Sequence, residues 1–219
     1  HVASFVTGMS TSPGIFDNNK YQFSENLLNY YEYMKKNDVF ASYAVVPPQA
    51  ARNPEFYQKR NLPIPTLSVV DENDKGVVIS GMKMLATSAV FANEIWIGNL
   101  IPLAPDQVKQ SITCAIPCNS NGLSLWMRQP LSKHYDNQFD APLSWNQDET
   151  DVLVMCDKVL VPWERVFVKD DAIQAREIYF KTPAHCYGNH QSNVRYWSKM
   201  ELIVGLSLIH ISEPTRQEA

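Results

Sequence analysis

The stretch GMKMLATSAVFA, residues 81–92, sets two small hydroxyls, Thr87 and Ser88, at the end of an apolar run. The preceding GVVISGMKML is rich in β-branched residues and reads as a strand heading for a core. Hydroxyls so placed either satisfy strand-end and turn backbone or serve something bound there. A second stretch, VVPPQAAR, fixes an extended backbone at Pro47-Pro48 and removes two N–H donors, leaving Gln49 and Arg52 as the polar groups beyond it. The cysteines Cys114 and Cys118 form a C-x3-C pair with no matching second pair, which is not a zinc pattern. The segment MRQPLSKHYDNQFDAPLS is polar, broken by proline, and carries Arg128, His134 and Tyr135; it reads as an irregular loop able to face a ligand.

These residues need elements to hold them. The 219-residue chain is 45% hydrophobic and 11% aromatic, ample for a core. Its formal charge of −4 is scattered, without the Lys/Arg cluster that nucleic acid binding requires. The sequence contains no apolar run of the ~20 residues a membrane span needs and no signal-like start, so a cytoplasmic protein is expected.

Three zones follow one another. Residues 1–38 are helical: Val2, Phe5, Val6 and Met9 share a face, and SENLLNYYEYMKKND repeats apolar residues at helical spacing, opened by Ser24 and closed by Lys35-Lys36. Residues 39–170 change to short strand-like runs cut by Gly, Pro, Asn and Asp, with DENDKG as a hairpin loop. Residues 171–206 return to helix, with Val194, Trp197, Met200, Ile203 and Val204 on one face of a long element. A largely antiparallel sheet or flattened barrel between helical parts is expected. The opening HVASFVTGM suggests a missing start. The end, LSLIHISEPTRQEA from Leu206, resembles a translated transposon-type sequencing adapter, so residues 207–219 are expected to be a non-native tail.

VVPPQAARNPEFY, GVVISGMKMLATSAVFANEIWIG, FDAPLSWNQDETDVLVMCDKVLVPWERVF and HQSNVRYWSKMELIVG, in this order and spacing, resemble the 4-hydroxyphenylacetate 3-monooxygenase oxygenase family. The resemblance spans residues 1–206. It implies an α+β, acyl-CoA dehydrogenase-like architecture: a helical N-terminal part, a central antiparallel, barrel-like β domain, and the start of a C-terminal helical bundle that forms a homotetramer. It also implies a two-component enzyme that hydroxylates a phenol ortho to its hydroxyl, using O2 and reduced FAD from a separate flavin reductase. The absence of a G-x-G-x-x-G after a strand suits an enzyme that receives its reduced flavin.

By the same resemblance, Thr87 and Ser88 bond the isoalloxazine edge, the segment through Ala44 and Pro48 passes beneath the flavin, and Gln49 and Arg52 contact the ring or its phosphate-bearing tail. Tyr43 stands where the family's best-known members have a His that touches the phenol; with an ordinary pKa near 10 a tyrosine is a poor base. His1 falls where the family often has a substrate-contacting Tyr, as though the two had exchanged places across the pocket, and its imidazole could take the phenol proton. Arg128, His134 and Tyr135 fall in the substrate-covering lid. VPWERVF reads as structural, with Trp163 and Phe167 packing and Glu164-Arg165 forming a local charge pair. Residues 1–206 alone are expected to be inactive. The alternatives are a flavoprotein like the acyl-CoA dehydrogenases or 4-hydroxybutyryl-CoA dehydratases, against which Trp197 stands seven positions after His190 where a cluster-ligating Cys is required, or a non-catalytic β binding module.

Overall fold

The computed structural model describes residues 1–212, with side-chain environments to residue 209. In order along the chain come helices α1 (Val2–Ser10) and α2 (Ser24–Asn37), strand β1 (Ala41–Ala44), helix α3 (Pro54–Gln58), and strands β2 (Ser68–Asn73), β3 (Gly76–Thr87), β4 (Glu94–Ile97), β5 (Thr113–Pro117) and β6 (Leu123–Met127). Helix α4 (Pro142–Asn146), strands β7 (Asp151–Pro162) and β8 (Val166–Val168), and helices α5 (Gln174–Phe180) and α6 (Ala184–Ser212) complete it.

The helical ends form for the reasons their sequences give, with one difference. Helix α2 stops where Asp38 adopts a left-handed φ of 49°. Ser24 is its first helical residue and does not cap it; instead the Ser24 N–H donates to Asp17 Oδ1 at 2.9 Å. The capping acceptor thus arrives from seven residues back and satisfies an N–H the helix itself cannot. Helix α6 runs on past Leu206 to Ser212, so the sequence break at Pro214 lies outside the described residues. Among the described residues no helix is long and apolar enough to cross a membrane.

The strands make two four-stranded sheets, in the orders β1-β4-β5-β8 and β2-β3-β7-β6. Of the two expected forms, sheet or flattened barrel, the strands take the first, as two open sheets. The second sheet is wholly antiparallel, whereas in the first β1 runs parallel to β4. The sheets meet where β3 passes β1: Val46 bridges Met84, and Ser42 Oγ donates to the Thr87 carbonyl at 2.7 Å.

The long pairing of β3 with β7 carries two irregularities. The first, between Ile79 and Gly81, puts the extra residue on the partner strand β7, where Lys158 has φ 53°, while Gly81 itself must be glycine. Gly81 has φ +114°, and a Cβ there would lie 2.2 Å from the Thr66 carbonyl oxygen. The second, between Lys83 and Ala86, holds Leu85 at φ +63°, an uncommon conformation for a bulky side chain. Its effect is to turn Leu85 out of the sheet, 52% exposed.

One continuous core joins helices and sheets. Trp96 of β4 stacks on Phe167 of β8 with centroids 4.7 Å apart, Tyr30 of α2 packs against both, and Trp96 Nε1 donates to Tyr179 Oη of α5 at 3.0 Å. Each such fully buried aromatic contributes roughly 1.5–3 kcal/mol through removal from water. The VPWERVF segment is structural as expected, except in its charge pair. Arg165 reaches across to the buried Glu94 at 2.9 Å rather than to Glu164, because a buried carboxylate without a cation would be far costlier than an exposed one.

Candidate active site

A cleft of about 510 Å³ opens between the end of β3, strand β1, the start of the chain and helix α6. It brings together His1, Tyr43, Thr87 and Ser88, four residues expected to act at one site yet spread over 88 positions of sequence.

His1 and Tyr43 do not face each other across the space. They stack on one wall, centroids 4.9 Å apart and planes inclined by 14°. Phe5, one turn along α1 from His1, meets His1 edge-on at 4.7 Å and Tyr43 edge-on at 5.7 Å. Phe5 can sit there because Gly188 of α6 has no Cβ; one would come within 2.1 Å of the Phe5 ring. The His1 Nδ1 donates to Gln191 Oε1 at 2.5 Å. An amide oxygen only accepts, so Nδ1 carries a proton, and in the neutral imidazole the ring's lone pair is then on Nε2. Burial raises the Tyr43 pKa above its ordinary value, an effect the Arg195 guanidinium opposes. Tyr43 is therefore a neutral donor rather than a base.

The β3 end forms the facing wall. Thr87 Oγ1 donates to Asp151 Oδ1 at 2.6 Å, and Ser88, held at φ +60°, donates its backbone N–H to the Thr150 carbonyl at 2.8 Å. The Thr150 hydroxyl is buried and has no partner among the described residues. Positive φ at Leu85 and again at Ser88 concentrates backbone strain at this corner, and both side chains line the cleft.

The expected lid residues lie elsewhere. Arg128 turns inward: its guanidinium pairs with Asp148, lies 3.5 Å from Asp151 Oδ2, and donates to the Glu149 carbonyl. These bonds from Arg128, with the Leu131 N–H, hold the Asp148 carboxyl below the usual carboxylate range. Arg128 is thus an anchor of the loop. His134 and Tyr135 are exposed and do not line the cleft.

The residues around Pro48 are divided as well. Ala44 and Pro48 are buried, while Gln49 and Arg52 sit in an exposed single turn of 3-10 helix. Arg52 lines a neighbouring cavity of about 160 Å³ with Pro47, Thr66 and Lys83. Lys83 is buried and donates to Asn99 Oδ1 at 2.7 Å. Burial pushes its pKa down to about 8, since an ammonium loses its hydration there.

Sequence reasoning passed over Arg195, Gln191, Glu149 and Asp151. Arg195 lines the cleft and donates to Glu149 Oε1 at 2.8 Å, tying α6 to the loop that Arg128 anchors. A signal existed: Gln191 and Arg195 are four apart on a helix and so share a face. Cys114 lies in β5 and Cys118 just past its end, Cys156 in β7 and Cys186 in α6, all four free, and among the described residues no group of three or more His, Cys, Asp or Glu is placed to hold a metal ion.

Two sheets flanked by helices, with a polar cleft between β3 and α6, define the class. The chain belongs to the family described as 4-hydroxyphenylacetate 3-hydroxylase N terminal, which matches residues 1–168. It is 33% identical over 190 residues to the 4-hydroxyphenylacetate 3-monooxygenase oxygenase component of Thermus thermophilus, covering 86% of this chain and 38% of that protein. It is 31% identical over 188 residues to the oxygenase component of the 4-nitrophenol 4-monooxygenase/4-nitrocatechol 2-monooxygenase of Rhodococcus opacus, covering 85% of this chain and 34% of the relative. The crystal structure of the oxygenase component (HpaB) of 4-hydroxyphenylacetate 3-monooxygenase with FAD and 4-hydroxyphenylacetate superposes with a TM-score of 0.83 at 30% identity, over 96% of this chain and 43% of that one. The chain therefore spans about two fifths of the length of these relatives. The family and the helix–sheet–helix architecture expected from the sequence are borne out.

Proposed function

We propose that this chain is part of the oxygenase component of a two-component monooxygenase that hydroxylates a phenol ortho to its hydroxyl. The observation that carries the reading is the cleft, which gathers His1, Tyr43, Thr87 and Ser88 in a chain whose relatives are named as phenol-type monooxygenases. Its volume lies in the range of small-molecule sites. Its β3 wall also fits an isoalloxazine edge, since the Thr87 and Ser88 side chains both line the cleft and bring hydroxyls to it.

Thr87 and Ser88 would hold the ring edge, Ala44 and Pro48 its underside, and Arg52 with Gln49 the phosphate-bearing tail beside the neighbouring cavity. Bound FAD, reduced by a separate reductase, supplies the O2-activating chemistry. The chain's residues handle the phenol. The His1 Nε2 lone pair accepts its proton, and Arg195 stabilises the resulting phenolate. Tyr43 donates a hydrogen bond to it. Phe5 and Leu85 keep that space dry.

The proposal extends to a homotetramer in the cytoplasm. The exposed apolar face of α6, with Trp197, Ile203 and Val204 more than half exposed, supports burial against further polypeptide. The test is anaerobic addition of reduced FAD to the full-length protein, followed by mixing with aerated buffer. Capture and slowed oxidation of the flavin, with phenol-dependent product, are expected. Indifference to both flavin and phenols would leave a non-catalytic binding module.

A further inference from the structure

Lys83 and Asn99 form part of the wall of the cavity of about 160 Å³ beside the cleft. The Asn99 amide is fixed: its Nδ2 donates to the Gln110 carbonyl at 3.0 Å and the Ile112 carbonyl at 3.1 Å, which leaves Oδ1 to face the lysine. Among the described residues that oxygen is the one acceptor the Lys83 Nζ finds, and no carboxylate pairs with it. An ammonium has three protons to place, whereas the neutral amine has two and a lone pair. With the side chain 2% exposed and its pKa lowered by burial to about 8, the neutral amine is readily populated.

The other polar side chains on this cavity are donors. They are Arg52, Thr66 and Gln107, and neither Asp nor Glu lines it. The Gln107 oxygen already accepts the Ala104 N–H at 2.9 Å, so its amide nitrogen is the group left to donate. Val45, Ile64 and Leu103 make the remaining wall apolar. A nucleophilic amine thus sits in an apolar space ringed by donors, which suits a small neutral electrophile that becomes an anion on reaction.

We propose that Lys83 is a carbamate-forming site whose ligand is carbon dioxide. The Nζ lone pair attacks the carbon, an N–C bond forms as one C–O π bond opens onto oxygen, and one nitrogen proton leaves to water. The step needs neither oxidant nor reductant. The nitrogen keeps a single proton, which matches the single acceptor Asn99 Oδ1, and the new carboxylate meets Arg52, Thr66 and the Gln107 amide. Arg52 has five N–H donors, enough to serve both this group and the phosphate-bearing tail assigned to it above. The site does not depend on the flavin reading.

The test equilibrates flavin-free full-length protein with carbon-13 bicarbonate and CO2 near the Lys83 pKa. Carbon-13 NMR should show a carbamate resonance, separate from bicarbonate, that saturates with CO2. Methylation with an oxonium reagent and peptide mass spectrometry should then place the trapped methyl carbamate on Lys83, in a peptide distinct from that of the α-amine. Arg52→Gln should weaken CO2 binding about three- to tenfold, the worth of one hydrogen bond. Lys83→Met should abolish the adduct, with thermal unfolding as the check on folding. Absence of the adduct from Lys83 in the folded parent protein overturns the proposal, and so does an adduct whose CO2 dependence Arg52→Gln leaves unchanged.

Discussion

His1 lies flat against Tyr43, and Phe5 closes the edge of both rings. Two groups expected to confront a ligand from opposite sides instead form one rigid aromatic wall. Its chemistry is split between them: the neutral His1 ring would accept at Nε2, and the tyrosine hydroxyl, kept neutral by burial, donates.

That wall depends on the close approach of α6 to α1. Gly188→Ala would drive a Cβ into the Phe5 ring, which has nowhere to go because it also meets Tyr179 at 5.6 Å. A loss of about 1–3 kcal/mol is expected in urea unfolding, together with altered ring-current shifts of His1 and Tyr43 in NMR spectra. Unchanged stability and shifts would contradict this packing.

Arg195→Ala should separate function from stability. The side chains of Arg195 and Glu149 are both half exposed. Loss of so exposed a pair should cost about 0.5 kcal/mol or less. The Tyr43 hydroxyl should titrate higher still once the opposing guanidinium is gone, as read by carbon-13 NMR of labelled tyrosine. Binding of 4-nitrophenolate, followed by its absorbance, should weaken about tenfold if the cation stabilises the ionised guest. An unaltered Tyr43 titration would remove Arg195 from the cleft's electrostatics.

Tyr179→Phe leaves Trp96 Nε1–H buried without its acceptor. The expected cost is about 1–3 kcal/mol, visible as a lower denaturant midpoint at unchanged slope. An unchanged midpoint would mean that the indole has another partner.

Lys83 predicts a pH dependence of definite sign. Its folded pKa of about 8 lies below the ordinary 10.5, so between these values the unfolded chain binds the extra proton. Its contribution to stability therefore rises with pH across that window and is smallest below it. Cys156, pushed up to about 12 by burial, acts oppositely: the stability it contributes is complete below pH 9 and declines as pH rises toward 12. Subtracting the unfolding free energy of Lys83→Met from that of the parent cancels the cysteine effect. The difference should climb from pH 8 to 10.5, and a flat difference would exclude a depressed lysine.

The sequence by itself determined the elements and the kinship. Helical spacing set α1 and α2, β-branched runs set the strands, and the motif through Thr87-Ser88 marked one wall of the cleft before any geometry was known. These are local signals, carried by periodicity and by residues close together in the chain. Tertiary structure alone decided the partners. Glu94 rather than Glu164 pairs with Arg165, Asp151 accepts the Thr87 hydroxyl's hydrogen bond, and Arg128 secures its loop instead of facing a ligand. It also decided that β1 runs parallel to β4 and that the strands divide into two open sheets. The physical reason is that ion pairs and hydrogen bonds between residues tens of positions apart depend on which strands lie side by side, a property of the packed chain rather than of any window along it.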